Sequence, residues 1–405
     1  MPSALPEGEA VPPDGSLPAG ALSDLADTPL SFYLHVPFCR TRCGYCDFNT
    51  YTAEELGPAP GASRASYVAT AIAEIQQAAR VLGPMAPPVS TIFIGGGTPT
   101  LLPPSDLARL VGAVAERFEF APGAEITTES NPESIDARGL AALVAGGINR
   151  ISFGMQSAVP QVLATLDRVH SAGRPQQAVA EAKAAGFAST SLDLIYGTPG
   201  ESMDDWRASL EAALSAEPDH ISAYALIVED GTRLAASIRR GRLPMTDDDD
   251  LADKYLLADD LLGRAGYSAY EVSNWSTGRD HRCRHNLAYW RGHNWWGVGP
   301  GAHSHVGGTR WWNVKHPAAY AARLAAGRSP AHAREVLDST DRRVERVLLE
   351  LRLADGLPTS VLTPTELGRI ADLVARGLAE VVRGRLRLTQ SGRLLADGVV
   401  RDLLD

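Results

Sequence analysis

The chain has 405 residues, of which 44% are hydrophobic and 21% charged, values typical of a globular protein with an ordinary apolar core. Its formal net charge of −10 at pH 7 excludes the global positive field with which proteins gather nucleic acid or anionic membranes. At about 150 residues per domain, the length predicts one large domain and a second, smaller one.

Residues 1–28 are rich in Pro, Gly, Ala and acidic residues without periodicity, which predicts a disordered tail. This segment lacks the positive charge and apolar run of a signal peptide, and no apolar stretch approaches the roughly 20 residues of a membrane span. Four cysteines in a chain of this length do not make a disulfide framework, and clustered free thiols fit a reducing compartment. We therefore expect a cytoplasmic protein.

Residues 29–230 alternate between short apolar runs and helical patterns. The predicted strands are Ser31–Val36, Thr91–Gly95, Glu125–Glu129, Arg150–Phe153, Ser191–Ile195 and His220–Leu226. Repeated alternation of strand and helix predicts an α/β fold with a parallel sheet and outer helices. About six units make a partial (β/α)6 barrel, with a doubly wound open sheet as the alternative. In a barrel, the chemistry lies at the carboxyl ends of the strands.

Three cysteines follow the first predicted strand as Cys39, Cys43 and Cys46, in the spacing CxxxCxxC. Such a loop can turn three soft sulfur ligands toward one point, which favours zinc or an iron–sulfur cluster. A structural zinc needs four closed ligands, and only Asp47 or His35 is at hand as a fourth. A [4Fe–4S] cluster on three cysteines leaves one iron open for another ligand. The cluster is favoured, and a zinc knot is the alternative.

The later strand ends also offer polar groups or open backbone. The residues concerned are Gly96, Gly97 and Thr98 after the second strand, Glu129 after the third, Gln156 and Arg168 after the fourth, and Asp193 in the fifth. Glycines there let a ligand approach the backbone, although a tight turn alone would also need them. Any one of the polar residues could be an ordinary satisfied group. Together with the cysteine loop after the first strand, these make five strand ends, which indicates a binding site.

Residues 231–330 are predicted to form a linker and an aromatic-rich region. Heme iron takes a His, Cys or Tyr axial ligand, and aromatic side chains bury a flat macrocycle well. On these residues alone, an aromatic core with hydrogen-bonded histidines is the favoured interpretation, and a heme site with His285, Tyr289 and Trp290 as candidates is the alternative. Residues 331–405 predict a C-terminal α+β domain, helical and winged-helix-like. Its arginines are not part of a net basic domain, so nucleic acid is not an expected partner.

The CxxxCxxC spacing, with Tyr45 before the last cysteine, resembles the radical S-adenosylmethionine (SAM) superfamily, in which SAM chelates the open iron. A wider set of motifs, from about Leu30 to the C-terminus, resembles the oxygen-independent coproporphyrinogen III oxidase family. These motifs are Tyr33 with His35–Cys39, Gly95–Thr100, Glu129–Pro132, Gly154–Ser157, Asp193–Gly197 and Pro199-Gly200. The resemblance implies SAM contacts for Tyr33, Tyr45, Gly96 and Glu129. It implies a second SAM site lined by Gly97, Thr98, Gln156, Arg168 and Asp193.

One position departs from the oxidases, which carry a further cysteine where this chain has Phe48. The ending Cys46-Asp47-Phe48, with the segments Tyr270–Trp275 and Cys283–Trp290, resembles the heme chaperone HemW branch of the family. The implied function is to bind heme and pass it to an acceptor protein, with a SAM-ligated [4Fe–4S] cluster. The alternative is radical decarboxylation of coproporphyrinogen III to protoporphyrinogen IX, which the second SAM set favours. Whether the protein is an enzyme is thus left open.

The partners implied by the resemblance are heme, an unidentified heme-acceptor protein and an electron donor. A membrane-associated acceptor and a homodimer are compatible with it. A third interpretation, a barrel that binds zinc and has no redox chemistry, follows from the cysteine loop alone.

Overall fold

The computed structural model describes residues 7–23, 25–57, 61–168 and 170–405. Six parallel strands form the centre of the fold and lie side by side in sequence order. They are β1 (Leu30–Val36), β2 (Val89–Gly96), β3 (Phe120–Ser130), β4 (Arg150–Gln156), β5 (Ser189–Tyr196) and β6 (His220–Ala225). All six coincide with predicted strands, extended by a few residues at one or both ends in most cases.

Helices lie before, between and after these strands, and most of them bury apolar residues along one face. They are α1 (Ala19–Ser23), α2 (Ala53–Leu56), α3 (Arg64–Leu82), α4 (Pro104–Ala115), α5 (Ala137–Ala145), α6 (Pro160–Thr165), α7 (Arg174–Ala185), α8 (Met203–Leu214), α9 (Arg233–Arg239), α10 (Asp248–Arg264), α11 (Arg284–Trp290), α12 (Pro317–Ala325), α13 (Ser339–Glu350), α14 (Pro364–Ala375), α15 (Gln390–Leu394) and α16 (Ala396–Leu404). In α3, for example, Val68, Ala71, Ile75 and Ala78 are all buried at helical spacing.

The aromatic-rich region extends the same sheet on both sides. Its strands are β7 (Ser268–Ala269), β8 (Asn274–Ser276), β9 (Asn294–Val298), β10 (His303–Val306), β11 (Thr309–Asn313) and β12 (Ala331–Val336). The strand order is β12-β11-β10-β9-β1-β2-β3-β4-β5-β6-β8-β7, with β9 parallel to β1. Because β1 to β6 follow one another without a reversal, the sheet is not doubly wound. The two ends of this described sheet do not pair, so the barrel is partial, as predicted.

The C-terminal segment has a hydrophobic core of its own, which includes Val347, Leu351, Leu373, Leu386 and Leu403. Its small antiparallel sheet contains β13 (Leu357–Pro358), β15 (Arg385–Leu388) and β14 (Ala379–Val382), in that order. This combination of helices and hairpin agrees with the winged-helix-like prediction. The predicted boundary at residue 331 is too early, because β12 pairs with β11 in the large sheet.

The segment predicted to be a disordered tail is ordered where it is described. Glu9 and Arg334 exchange two backbone hydrogen bonds of 2.8 and 3.0 Å, and Leu25 is buried in the main core. Ser329 donates its backbone N–H to the Pro13 carbonyl at 2.7 Å. Composition alone could not predict this order, because the segment pairs with residues in and beside β12, more than 300 residues further along the chain. Residues 1–6 and 24 lie outside the described residues.

A search of the described helices finds none that is both long and apolar enough to cross a lipid bilayer.

Candidate functional site

A cavity of about 1000 Å³ lies inside the partial barrel. Its lining includes every residue predicted for the cluster and for the two SAM sites, together with His285 and Tyr289. Trp290 is not among the lining residues and packs beside Tyr270, Leu287 and Leu353 instead. On α11, Trp290 is rotated about 100° from Tyr289 and about 140° from His285, which turns it away from the face that these two residues share. The structure therefore separates Trp290 from the other two heme candidates.

The cysteine loop continues from β1 and is held by two distant segments. Gly44 donates its backbone N–H to the Leu166 carbonyl at 3.1 Å, and its own carbonyl accepts the N–H of Leu234 at 2.9 Å. Beside these bonds, Arg233 and Asp167 form an ion pair of 3.3 Å. The loop is thus fixed from the ends of β4 and β6 as well as from β1, although it has no regular secondary structure.

The three thiols of this loop are free and partly buried, and they line the cavity. Burial raises the pKa of Cys39 to about 11 and raises that of Cys46, so both are neutral thiols before any metal binds. Iron binding would release their protons. Arg168 Nη1 lies 3.7 Å from Cys43 Sγ, close enough to stabilise a thiolate.

The three thiols are soft sulfur ligands that suit either an iron–sulfur cluster or zinc. Among the described residues, no group of three or more His, Cys, Asp or Glu side chains is arranged so that it could hold one metal ion. Both ring nitrogens of His35 are hydrogen-bonded, since Nδ1 lies 3.0 Å from the Tyr33 hydroxyl and Nε2 lies 2.9 Å from the Asn49 carbonyl.

The glycines after β2 bring the backbone against the cysteine loop. A Cβ added at Gly97 would clash with the Phe38 carbonyl and lie 3.0 Å from Cys39 Sγ. Gly96 has a φ of 111°, a conformation that other residues rarely adopt, and donates its N–H to Glu129 Oε2 at 3.0 Å. These positions need glycine for packing reasons, and both glycines line the cavity.

Two carboxyl groups face the cavity from β3 and β5. Withdrawal from water and the nearby Asp193 together raise the pKa of Glu129 to about 8. The pKa of Asp193 is also raised by burial, against the opposing effect of hydrogen bonds from Ser222 and Ser152. Such a pair is suited to a ligand that brings a positive charge or hydroxyl groups, because either would stabilise the ionised carboxylates.

Arg168 and Gln156 border the same wall of the cavity. Arg168 Nη2 donates to the Gly154 carbonyl at 2.9 Å, and a Cβ at Gly154 would meet the side chains of both Arg168 and Gln156 at 2.9 Å. Gln156 itself has a φ of 66°, which is unusual for a residue other than glycine and is found most often at functional sites.

His285 is completely enclosed. Its Nδ1 lies 2.7 Å from Thr91 Oγ1, and its Nε2 lies 2.8 Å from the Tyr289 hydroxyl. Burial lowers the pKa of His285 to about 3, so the imidazole is neutral, as a metal ligand must be. With both ring nitrogens occupied, the ring sits here as a hydrogen-bonded core histidine. Coordination of iron would require the Tyr289 hydroxyl to move.

Several further residues line the cavity that the sequence reasoning did not single out. They include Arg150, Ser152, His220, Ser222, Tyr224 and Cys283. The sequence does contain a pattern that identifies the first five, because polar residues at positions i and i+2 of a buried strand point to the same face of the sheet. Arg150 and Ser152 in β4, and His220, Ser222 and Tyr224 in β6, follow this alternation and face the barrel interior.

Comparison with known proteins agrees with this geometry. Residues 33–213 match the Radical SAM superfamily. A Mycobacterium tuberculosis protein named heme chaperone HemW is 52% identical over 95% of this chain and 97% of its own. The heme chaperone HemW of Bacillus subtilis is 31% identical over 91% of this chain and 97% of its own. The solved structure of coproporphyrinogen III oxidase (HemN) from Escherichia coli, a radical SAM enzyme, has a TM-score of 0.80 at 24% identity, covering 95% and 92% of the two chains. The last likeness establishes the fold.

Proposed function

The chain belongs to the heme chaperone HemW family, and on that basis we propose that it binds heme and passes it to an acceptor protein. Membership of the radical SAM superfamily implies a [4Fe–4S] cluster and SAM. The observation that carries the proposal is the shared cavity, whose lining includes the three loop cysteines, the SAM candidates, His285 and Tyr289.

We assign the cluster to Cys39, Cys43 and Cys46, and the SAM on its open iron to Tyr33, Tyr45, Gly96 and Glu129. When bound, the cluster and SAM would supply one-electron chemistry to the cavity. The chain's part is to hold the ligand: Glu129 offers a carboxylate to the SAM ammonium, and Gly96 and Gly97, which have no side chain, let the ligand come close to the backbone. Gly97, Thr98, Gln156, Arg168 and Asp193 would line a second SAM site.

We place the heme against α11, with His285 as the axial ligand. Its neutral imidazole is already inside the cavity wall, and only one hydrogen bond, from the Tyr289 hydroxyl, blocks Nε2. Displacement of that hydroxyl would free the nitrogen for iron while Thr91 continues to orient the ring through Nδ1. Trp290 would then support α11 from outside the cavity rather than contact the macrocycle.

We further propose that the protein works in the cytoplasm, where its four cysteines, all free thiols, would stay reduced. An electron donor for the cluster and an acceptor for heme are required partners under this proposal. The acceptor can be membrane-associated, and two copies of the chain can act as a homodimer.

The proposal is tested by heme transfer. Cluster-reconstituted protein is loaded anaerobically with one equivalent of heme and mixed with apo-myoglobin, whose Soret band reports heme capture. We expect the loaded protein to bind heme stably alone and to release it when SAM and a reductant are present. Transfer at the same rate as from free heme would contradict a chaperone role.

The second candidate is the oxidase, which the retained set of Gln156, Arg168 and Asp193 in the cavity favours. A single anaerobic incubation with SAM, a low-potential reductant and coproporphyrinogen III separates the two functions by mass spectrometry. Loss of two carboxyl groups from the porphyrinogen over many turnovers would make the protein an oxidase. Formation of 5′-deoxyadenosine without a porphyrin product would favour the chaperone.

A further inference from the structure

Arg150 is a buried arginine whose charge the proposed function does not use. It is 4% exposed and lies at the start of β4, yet it lines the cavity. Its Nε and Nη2 atoms have no hydrogen-bond partner among the described residues. Burial of the three N–H groups on these two nitrogens is costly, because they lose water without gaining an acceptor. A ligand that supplies the missing acceptor would offset this cost.

The acidic groups around Arg150 are already engaged elsewhere. Glu125 accepts the backbone N–H groups of Arg284 and His285, each at 3.0 Å, and so fixes the start of α11. Asp193 accepts the Ser152 hydroxyl at 2.9 Å. Among the described residues, none accepts a hydrogen bond from Nε or Nη2 of Arg150, and Glu125 and Asp193 act on its charge through Coulomb attraction. The guanidinium therefore keeps free donors for an incoming anion.

The position of Arg150 specifies the shape of the ligand. Gly154, at the cluster end of β4, is four residues away, a separation of about 13 Å along a strand. Beside Arg150 lies Cys283, which also lines the cavity and precedes His285 by two residues. A ligand held near the cluster therefore reaches Arg150 only if it spans about this distance, whereas a ligand against α11 lies next to Arg150.

We propose that Arg150 binds the terminal carboxylate of a ligand in this cavity. A guanidinium fork matches a carboxylate in a bidentate pair, and the low-dielectric surroundings strengthen that pair. Two sources carry such a group: a propionate of heme and the amino-acid carboxylate of a second SAM. The placement beside α11 favours the propionate, and this part of the inference rests on the proposed heme-binding function.

The test uses the full-length, cluster-loaded protein and two matched porphyrins. Heme and heme dimethyl ester, which has no free carboxylate, are titrated against wild type, Arg150→Lys and Arg150→Gln. We expect Arg150→Gln to weaken heme binding about tenfold or more and to leave ester binding unchanged. Arg150→Lys keeps the charge but loses the bidentate fork, so its heme affinity should lie between those of the wild type and Arg150→Gln. Arg109→Gln, an exposed change on α4, controls for net charge.

SAM affinity, measured by equilibrium dialysis, identifies the source. Loss of SAM affinity in Arg150→Gln with unchanged heme affinity would assign the anchor to the SAM carboxylate. Unchanged affinity for both ligands in folded Arg150→Gln would overturn the proposal. If Arg150→Gln fails to fold, the other proteins still test the proposal. It would be overturned if the wild type bound heme and its ester with equal affinity and Arg150→Lys bound SAM as the wild type does. If wild type binds no heme, the proposed function fails, while the SAM comparison still tests Arg150.

Discussion

The Tyr289 hydroxyl lies 2.8 Å from Nε2 of His285, one helical turn away on α11. The bond holds the proposed heme ligand in a state that cannot coordinate iron. Tyr289→Phe should therefore raise heme affinity, because iron no longer competes with a hydrogen bond of about 0.5–1.5 kcal/mol, equivalent to a gain of about two- to tenfold.

His285→Ala should act in the opposite direction and weaken heme binding about tenfold or more, with cluster iron retained. Both variants are measured by absorbance titration under anaerobic conditions. A fall in affinity in Tyr289→Phe would instead identify the tyrosine as the ligand. Unchanged affinity in His285→Ala would remove this histidine from the heme site.

Replacement of cysteines should distinguish the cluster loop from the buried fourth thiol. We expect Cys39→Ser, Cys43→Ser and Cys46→Ser each to lose most iron and acid-labile sulfide after anaerobic reconstitution, because a cluster on three ligands cannot spare one. Cys283→Ser should retain both and serves as the matched control. One zinc per chain in place of iron would contradict the cluster assignment.

Gly97→Ala should disturb the cluster loop by steric overlap alone. The added Cβ would overlap the Phe38 carbonyl and crowd Cys39 Sγ, so the loop must shift. We expect lower iron content and SAM affinity reduced about tenfold. Gly112→Ala on α4 has open space around its Cβ and is the control. Equal cluster content and equal SAM binding in the two variants would show that the loop accommodates the added methyl group and would contradict this prediction.

Glu74 should make the stability of the protein depend on pH. This completely buried carboxyl on α3 accepts hydrogen bonds from Gly299 and Asn313, both at 2.8 Å, and from Tyr320. Burial nevertheless raises its pKa from 4.5 to about 7. The folded state thus holds a proton that the unfolded state has released, so the stabilisation present below pH 4.5 is lost as pH rises toward 7.

The free energy of unfolding of the wild type, measured by urea denaturation, should therefore fall relative to that of Glu74→Gln between about pH 5 and pH 8. The fall in this difference is about 2–3 kcal/mol. Buried histidines such as His35 and His285, whose pKa values are lowered, change stability in the opposite direction but do so equally in both proteins. An identical pH dependence in the two proteins would mean that the carboxylate is ionised in the folded state throughout this range.

Much of the fold followed from local patterns. The strands β1 to β6 are runs of β-branched and apolar residues bounded by turn residues, and helices of clear 3.6-residue period separate them. What local patterns could not specify is pairing between distant segments. The parallel pairing of β9 with β1, and the docking of Glu9 on Arg334, depend on partners hundreds of residues away.

The sequence predicted those residues of the candidate site that belong to recognisable motifs, and no others. Gly97 and Glu129 lie at strand ends, where the fold brings polar groups together, and they line one cavity. Arg150 lies at the amino end of β4, so the expectation that site residues lie at the carboxyl ends of the strands does not identify it. Trp290 was grouped with Tyr289 by adjacency in sequence, but the helical rotation of about 100° per residue sends them to different faces.

The position of β1 between β2 and β9 has a consequence for synthesis of the chain on the ribosome. Leu30 of β1 pairs with Asn294 of β9, so one edge of the strand that leads into the cysteine loop has no neighbour until most of the chain has been translated. At about 5–20 residues per second, that wait lasts about 15–50 s. An unpaired strand edge is a template for misassembly during this time. Iron delivered to the nascent loop would thus meet an unfinished scaffold, which favours cluster insertion after release from the ribosome.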